Sequence, residues 1–366
     1  MRYFGALILI YMLFGCANEK PVQTDEATVL DPHQQFEWKL VTSWPKNFPG
    51  LGTAPENFAD LVERMSSGRL KIKVFGAGQL VPAFEVFDAV SQGITQMGHG
   101  ASYYWTGKAK ETVFFTSVPF GLNAQEINGW LHHGGGLSLW RELYEPFNLI
   151  PFAGGNTGVQ MAGWFNREIK SIEDLKGLKM RIPGLGGEVI TRAGGTSVTM
   201  PGNELYTSMQ TGVIDATEWV GPYNDLALGF HQVAKYYYYP GWHEPGAMLE
   251  FIVNADAFER LPDDLRAIVE VATRAVNQDM LDEYTAKNNQ ALSELTSNHG
   301  VELRKLPEPV LSELRKLSDQ VLTEISSRGN LSGRIAKSVK EFKEESMAYH
   351  FISEEAYYEA RRVLLE

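Results

Sequence analysis

Cysteine is nearly absent from this chain of 366 residues, in which Cys16 is the only one. A single thiol excludes an internal disulfide framework and any metal site that needs several cysteines. Basic residues are also scarce, because 33 lysines and arginines stand against 45 acidic residues, and the formal net charge is −12. A field of that sign repels a phosphate backbone, so the sequence predicts no nucleic-acid partner. No apolar run reaches the roughly 20 residues that a membrane-spanning helix requires.

Hydrophobic residues, by contrast, make up 44% of the chain and include 8 Trp, 15 Tyr and 19 Phe. That is enough apolar material for a large packed interior, and it excludes a disordered or collagen-like chain. A chain of 366 residues is too long to fold around a single hydrophobic core of ordinary size. The composition therefore predicts two domains or one large lobed unit.

The N-terminus carries the features of an export signal. Arg2 is followed by an apolar run over residues 6–14, and Gly15 and Cys16 come directly after it. The run has the length of a secretory signal rather than of a membrane span. The position of Cys16 resembles the lipobox of bacterial lipoproteins, in which the cysteine becomes the lipidated first residue. The alternative is an ordinary secretory signal with an incidental thiol, and both interpretations predict export.

The first elements after the N-terminal segment predict a βαβ unit. Residues 36–41 and 70–75 alternate apolar and polar side chains as strands do, and residues 54–65 between them carry apolar side chains at helical spacing. Strand, helix and strand in this order imply parallel pairing and an α/β fold.

Two later segments align without a gap, residues 85–94 and residues 204–213. Each predicts a helix that ends at a glycine and runs into a β-prone stretch. Only a glutamate and a glycine are identical between them, so a chance likeness is the alternative. As a true repeat, the pair predicts one equivalent α/β unit in each half and two lobes that face each other across a cleft.

Long helices are predicted at the end of the chain. One begins near residue 261 and carries apolar residues at helical spacing as far as residue 280. Another begins near Asn330, and its apolar stripe consists of Ile335, Val339, Phe342, Tyr349, Phe351, Ile352, Tyr357 and Leu364. A stripe of this kind must be covered, either by its own chain or by a second copy in a homodimer.

The predicted organisation has six parts. They are a lipoprotein signal peptide over 1–15, a flexible tether over 16–35, a first lobe mainly in 36–155, a second lobe mainly in 156–260, helices packing on the lobes over 261–329, and a C-terminal dimerisation helix over 330–366.

Three polar residues lie in apolar or glycine-rich surroundings. Arg181 ends a predicted strand, where α/β sheets bind ligands, and its guanidinium matches a carboxylate. Glu218 is followed by Trp219, and Glu244 lies in a Gly-Trp-His-Glu-Pro-Gly turn. A desolvated carboxylate takes up a proton unless a cation is near, and oxygen donors select hard ions such as Na⁺, Ca²⁺ or Mg²⁺. The alternatives are an interlobe salt bridge for Arg181 and, for each glutamate alone, a surface or ion-pair role.

Six segments resemble, in their sequences and in their order along the chain, segments of the solute receptors of TRAP (tripartite ATP-independent periplasmic) transporters. The segments are 40–50 (LVTSWPKNFPG), 98–108 (GHGASYYWTGK), 154–165 (GGNTGVQMAGWF), 179–184 (KMRIPG), 217–225 (TEWVGPYND) and 241–246 (GWHEPG). The nearest likeness is to the branch that binds 2-oxo or 2-hydroxy acids with a metal ion. It implies a two-lobed, periplasmic-binding-protein-like α/β fold with a ligand cleft between the lobes. It also implies a periplasmic receptor, not an enzyme, that serves membrane permease subunits in secondary-transport uptake.

The resemblance implies a role in ligand binding for five residues. Arg181 would clamp the ligand carboxylate, Gln160 would contact both ligand and cation, and Asn156 would donate to the ligand. Tyr103 and Tyr104 would close the pocket from the first lobe. A helix-swapped homodimer is implied as well.

For the cation shell, the resemblance implies Gln160, Glu218, the Trp219 main-chain carbonyl and Glu244. It favours Na⁺ with a pyruvate-like 2-oxo monocarboxylate, and a lactate-type receptor with Ca²⁺ is the alternative. The formal charges of the ligand, the two glutamates, Arg181 and the ion add up to −1 with Na⁺ and to zero with Ca²⁺, so the charges alone favour the divalent ion.

Two further alternatives concern the function of the protein. They are a metal-dependent keto-acid enzyme with Glu218 or Glu244 as base and a receptor subunit of a sensor kinase system.

Overall fold

The computed structural model describes residues 34–362. The predicted signal peptide, most of the tether, Cys16 and Leu364 lie outside the described residues. No helix within 34–362 is long and apolar enough to cross a membrane.

Eleven strands and twelve α-helices make up the described chain. The strands are β1 Phe36–Thr42, β2 Leu70–Phe75, β3 Met97–Gly100, β4 Leu149–Asn156, β5 Gly163–Phe165, β6 Lys179–Arg181, β7 Thr196–Val198, β8 Ala216–Thr217, β9 Tyr236–Tyr239, β10 Met248–Asn254 and β11 Glu302–Lys305. The helices are α1 Thr53–Met65, α2 Val86–Ser91, α3 Ala124–His133, α4 Gly136–Tyr144, α5 Gly184–Arg192, α6 Gly202–Gln210, α7 Pro222–Ala227, α8 Ala255–Glu259, α9 Asp263–Ser297, α10 Glu308–Ser326, α11 Asn330–His350 and α12 Ala356–Arg362. Five short 3₁₀ helices and a π-helical turn, Phe351–Glu355, complete the described chain.

The strands form two sheets, one in each lobe. The first has the order β2-β1-β3-β10-β4 and the second the order β11-β9-β5-β8-β6-β7. In the first sheet β1 pairs in parallel with β2 and β3, and β10 is antiparallel to β3 and β4. In the second, β6 pairs in parallel with β7 and β8, and β5 is antiparallel to β8 and β9. The predicted βαβ unit and its parallel pairing are confirmed.

The internal repeat is also confirmed by this topology. Helix α2 leads into β3, which pairs with β1, and helix α6 leads into β8, which pairs with β6. Gly93 and Gly212 follow the two helices with φ of 72° and 71°, a left-handed conformation that glycine adopts without steric cost. Each lobe therefore presents the carboxyl ends of two equivalent parallel strands.

Strand β5 is short, Gly163–Phe165, and the amide of Gln160 just before it bonds to the carbonyl of Glu244 at 3.1 Å. The range 156–260, expected mainly in the second lobe, includes β10 near its end, and β10 is a strand of the first sheet. The range 261–329, expected to be helical, includes β11, which adds an edge strand to the second sheet.

Helix α9 has 35 residues and connects the two lobes. It packs against α1 and β4 of the first lobe and against α7 of the second. Its buried apolar residues include Leu265, Val269, Val276 and Met280, which supply the predicted stripe. One rigid element thus holds both lobes.

The C-terminal helices are only half covered by their own chain. Ile335 and Val339 of α11 are buried, and Phe342 packs against the first lobe. Large apolar side chains farther along are exposed, namely Tyr349, Phe351, Ile352, Tyr357 and Tyr358. The predicted stripe therefore divides into a part that its own chain covers and a part that it leaves open.

Candidate functional site

The predicted site residues come from the ends of strands in both lobes. Arg181 is the last residue of β6, Glu218 follows β8, and Asn156 is the last residue of β4. Tyr103 and Tyr104 lie in the 3₁₀ helix Ser102–Trp105 that follows β3. These positions agree with the general rule that α/β sheets bind ligands beyond the carboxyl ends of parallel strands.

Arg181 and Glu218 form a buried ion pair, with side chains 1% and 0% exposed. The Arg181 Nη1 donates to Glu218 Oε1, and its Nη2 donates to the Tyr104 hydroxyl at 3.3 Å. The guanidinium also lies 5.0 Å from the ring centroid of Trp219. Burial lowers the pKa of Arg181, but the negative charges near it, chiefly that of Glu218, give a net upward shift. The ion pair thus lies within the second lobe, while the contact with Tyr104 joins the two lobes.

Glu244 is held by Gln160 through side chain and main chain. The Gln160 Nε2 donates to Glu244 Oε2 at 2.8 Å and to Thr157 Oγ1 at 3.1 Å. Gln160 Oε1 is buried and has no hydrogen-bond partner within residues 34–362. Burial raises the pKa of Glu244 well above its usual range, and the charge of Glu218 raises it further. A cation beside Glu244 and Gln160 Oε1 would satisfy both groups.

His243 joins the two glutamates. Its Nε2 lies 3.4 Å from Glu218 Oε2, and one potential ligand atom from each of Glu218, His243 and Glu244 lies within 4.8 Å of the others. In the described part of the chain this is the one group of three such residues close enough to hold a metal ion. Two carboxylates and the free amide oxygen of Gln160 suit a hard cation, so the residues fit the implied metal.

A small cavity of about 10 Å³ lies among these residues. Tyr103, Tyr104, Gln160, Arg181 and Trp219 line it, and Glu218 and Glu244 bond to two of these residues. Asn156 does not line the cavity.

The two polar ends of the Asn156 amide are engaged with neighbouring turns. Its Nδ2 donates to the Gly246 carbonyl at 3.3 Å, and its Oδ1 accepts from the Gly158 amide at 2.9 Å.

Sequence reasoning missed several residues of this site. His243 is one of them, although its position before Glu244 in a glycine-rich segment is a usable signal. Six cavity-lining residues were also not singled out, namely Trp44, Leu51, Thr157, Val220, Ala247 and Leu249. Of these, Trp44, Thr157 and Val220 lie in the family-like segments, whereas Leu51, Ala247 and Leu249 look like ordinary core residues until the fold brings them together.

Comparison with known proteins matches the chain to bacterial solute-binding proteins, both by a family model and by overall sequence identity. Residues 40–328 match the family model of bacterial extracellular solute-binding protein, family 7. The monocarboxylate 2-oxoacid-binding periplasmic protein of Nostoc sp. is 48% identical over 268 residues, or 73% of each chain.

Two solved structures resemble about nine-tenths of the chain. A TRAP periplasmic solute-binding protein from Pseudoalteromonas atlantica, with bound sodium and pyruvate, has 44% identity and a TM-score of 0.87, covering 89% of this chain and 99% of its own. A TRAP solute-binding protein from Bordetella bronchiseptica, a mixed-occupancy dimer with calcium and picolinate, has 37% identity and a TM-score of 0.89, covering 91% and 98%.

Proposed function

The chain belongs to family 7 of the bacterial extracellular solute-binding proteins, and from that premise we propose that it is the TRAP receptor for a small 2-oxo monocarboxylate such as pyruvate. The ligand is bound through a metal ion and the Arg181 guanidinium. The observation that carries the proposal is the buried constellation of Arg181, Glu218, Glu244 and Gln160 between two lobes. Membership of a solute-binding family, not an enzyme family, makes binding the activity to test.

A 2-oxo acid suits this donor set chemically. It chelates a cation through one carboxylate oxygen and the keto oxygen, while its carboxylate can pair with Arg181. Gln160 Oε1, which has no partner among the described residues, provides a further oxygen donor for the ion. A plain carboxylate lacks the keto oxygen and binds the ion through fewer atoms.

We propose Na⁺ as the ion, with Ca²⁺ as the alternative. The sodium and pyruvate of the Pseudoalteromonas neighbour support Na⁺, and the calcium of the Bordetella neighbour supports Ca²⁺. The charge count favours Ca²⁺, since Glu218 and Glu244 then balance the ion while Arg181 balances the ligand.

Isothermal titration of the full chain with pyruvate tests both the ligand and the ion. The protein is dialysed against chelator in potassium buffer, then titrated without addition, with Na⁺ and with Ca²⁺. Restoration of tight binding by one ion identifies it, and unchanged affinity in all three conditions would show that no metal takes part. Lactate, malate and longer 2-oxo acids in the same series define the ligand class. Turnover of pyruvate in any condition would favour the enzyme alternative.

We also propose that two copies assemble through the exposed apolar end of the C-terminal helices. Phe351 and Ile352 are 68% and 70% exposed, and the Bordetella neighbour is a dimer. Light scattering of the wild type and of a Phe351→Ser, Ile352→Ser variant tests this assembly. A dimeric wild type and a monomeric variant are expected, and a monomeric wild type contradicts the proposal.

Export and lipid anchoring through Cys16 complete the proposed placement, with the closed receptor recognised by membrane permease subunits. Family membership supports the periplasm, and the lipobox-like position of Cys16 supports the anchor. Mass spectrometry of the protein expressed in a bacterial host is expected to show a diacylglyceryl-modified Cys16. A Cys16→Ser variant is expected to be released in soluble form, and an unmodified Cys16 in the wild type would exclude the anchor.

A further inference from the structure

Glu244 lies in a segment that crosses from one lobe to the other. Residues 240–247 connect β9 of the second sheet with β10 of the first. Gln160 holds the segment from the crossing that connects β4 with β5, through two main-chain bonds and the bond from its Nε2 to Glu244. The contacts that other parts of the chain make with residues 240–247 therefore also decide where the Glu244 carboxylate lies.

Phe120 of the first lobe contacts this crossing segment with its main chain and with its ring. Its amide donates to the Trp242 carbonyl at 2.7 Å, and the two ring centroids lie 5.8 Å apart with a tilt of 33°. Close by, the Ser117 hydroxyl donates to the His243 carbonyl at 3.4 Å. The first lobe thus holds the two residues that directly precede Glu244.

The main chain at Phe120 has an uncommon conformation. Its φ is 55°, in the left-handed region that residues other than glycine rarely adopt and that persists only where the surrounding contacts enforce it. Backbone strain of this kind is found preferentially at functional sites. The strain at Phe120 therefore suggests a role beyond filling space.

Two cationic side chains of the C-terminal helices also contact Phe120. The Arg315 guanidinium of α10 lies 5.3 Å from the centroid of its ring, and Lys343 Nζ of α11 donates to its carbonyl at 3.5 Å. Phe120 therefore contacts both the segment that carries Glu244 and two helices that carry none of the proposed ligands of the ion.

We propose that Phe120 is a positioning residue for Glu244, which fixes residues 240–247 to the first lobe and to α10 and α11 in the geometry that binds the ion. This inference rests on the proposed function, because it assigns the support of the same metal site. It implies that Phe120 and Arg315 influence the affinity for the ion without touching it. A ring that contributes only to packing is the alternative outcome of the test.

The experiment compares Phe120→Leu with Phe75→Leu in the full chain. Phe75 is also a partly buried phenylalanine of the first lobe beside a cation, with Lys73 Nζ 5.2 Å from its ring centroid, but its strand β2 is separated from β10 by two other strands. After dialysis against chelator, each protein is titrated with pyruvate at increasing Na⁺ and, separately, increasing Ca²⁺. The quantity measured is the ion concentration that restores half of the binding.

Phe120→Leu is expected to need about fivefold more ion, because it loses an aromatic pair and a cation–π contact. A loosened segment spends less time in the competent arrangement, and the apparent affinity falls by the same fraction. Phe120→Tyr keeps the ring and is expected to need as much ion as wild type. The same is expected of Phe75→Leu.

Hydrogen exchange of the peptide over residues 241–246 gives a readout that does not depend on the ion or the ligand. In chelated protein without pyruvate, faster exchange than in wild type is expected for Phe120→Leu and not for Phe120→Tyr or Phe75→Leu. A loss of packing alone lowers the melting temperature of both leucine variants and changes neither this exchange nor the ion requirement.

Arg315 tests the link to the C-terminal helices. Arg315→Gln is expected to raise the ion requirement about twofold, the effect of one partly exposed cation–π contact. Lys316→Gln, a neutralisation at the exposed neighbouring position, is the control and is expected to match wild type. Added to Phe120→Leu, Arg315→Gln is expected to have no further effect, because the ring that it contacts is already absent.

An unchanged ion requirement in Phe120→Leu, an equal rise in Phe75→Leu, or a rise that persists in Phe120→Tyr overturns the inference. If Phe120→Leu does not fold, the comparison of Arg315→Gln with Lys316→Gln decides, and equal ion requirements in the two overturn it. A wild type that binds no pyruvate, or binds it equally without ions, refutes the proposed function itself. Ion-dependent binding with the same requirement in wild type and every variant refutes this inference alone.

Discussion

Arg181 is a fully buried cation whose guanidinium donates to acceptors of the protein itself. Besides Glu218 and Tyr104, its Nε donates to the Met200 carbonyl at 3.2 Å. Such a guanidinium is oriented at no further entropic cost on binding, which is the physical advantage of a preorganised clamp. The same burial makes its loss expensive.

Arg181→Ala is expected to weaken pyruvate binding by roughly 2–5 kcal/mol, the cost of deleting one partner of a buried charge pair. Arg181→Lys keeps the charge but loses the planar fork, so an intermediate affinity is expected. Titration calorimetry gives the affinities, and thermal melting shows whether each variant is folded. A folded alanine variant with wild-type affinity would show that Arg181 does not hold the ligand.

Glu250 offers a prediction on stability that is independent of the ligand. This β10 carboxylate is fully buried, accepts from Trp105 Nε1 and from the Tyr144 hydroxyl, and burial raises its pKa to about 8. Between the unfolded pKa, about 4.3, and the folded pKa, the native state binds more protons than the unfolded state. Its contribution to stability is therefore largest at low pH and falls as pH rises to about 8.

Relative to wild type, Glu250→Gln is expected to gain unfolding free energy as pH rises from 5 to 8, because the amide cannot ionise. Urea unfolding at three pH values in this range measures the difference, and the exposed Glu259→Gln is the control. A constant difference between Glu250→Gln and wild type would mean that Glu250 does not titrate in this interval.

At the scale of elements, the segment 241–246 shows how main-chain packing positions the site. The amide of Gly241 donates to the Gln160 carbonyl at 2.9 Å, and a Cβ at Gly241 would lie 2.2 Å from that oxygen. Gly241→Ala must therefore displace the Gln160 main chain, the 241–246 segment or both, and with them the contact between Gln160 and Glu244. We expect at least tenfold weaker binding of ion and ligand, measured by titration. Gly329→Ala, where a Cβ meets nothing within 4 Å, should bind as wild type, and equal affinities in both variants would contradict this account.

Elements whose apolar residues recur at a regular spacing could be predicted from the sequence. Elements that are defined by their pairing with other strands could not. The alternation of 70–75 and the helical stripe after 261 correspond to β2 and α9. β8 has two residues and β11 is an exposed edge, so neither carries a readable period. The strand β10 could not be placed in the first sheet, because its sequence does not show which sheet it joins.

The residues of the candidate site also divide into those that the sequence indicates and those that only the fold reveals. Arg181, Glu218 and Glu244 are charged residues in apolar surroundings, a contrast that is visible in the sequence. Leu51 and Leu249 are indistinguishable there from other core residues, and only the fold of the first lobe brings them to one cavity. The roles of the predicted ligand contacts stay predictions.

For the whole molecule, ligand binding and lobe closure are linked through contacts that already exist between the lobes. Asn224 of the second lobe donates to the Pro49 carbonyl of the first at 2.9 Å. Tyr284 of α9 donates to Asn224 Oδ1 at 2.8 Å and lies 3.4 Å from the same Pro49 oxygen. These bonds stabilise the arrangement of the lobes in which they form, and the apparent affinity of a ligand depends on how much of the protein adopts the binding-competent arrangement.

Tyr284→Phe keeps the buried ring and removes the hydroxyl, at a cost of about 1 kcal/mol to the closed form. We therefore expect about fivefold weaker pyruvate binding and a larger radius of gyration of the ligand-free protein in small-angle X-ray scattering. At saturating ligand the radius is expected to return to the wild-type value, since the ligand restores closure. Tyr239→Phe, at an exposed position of β9, serves as the control for loss of a tyrosine hydroxyl. Unchanged affinity and radius in Tyr284→Phe would show that α9 holds the lobes together without influencing their closure.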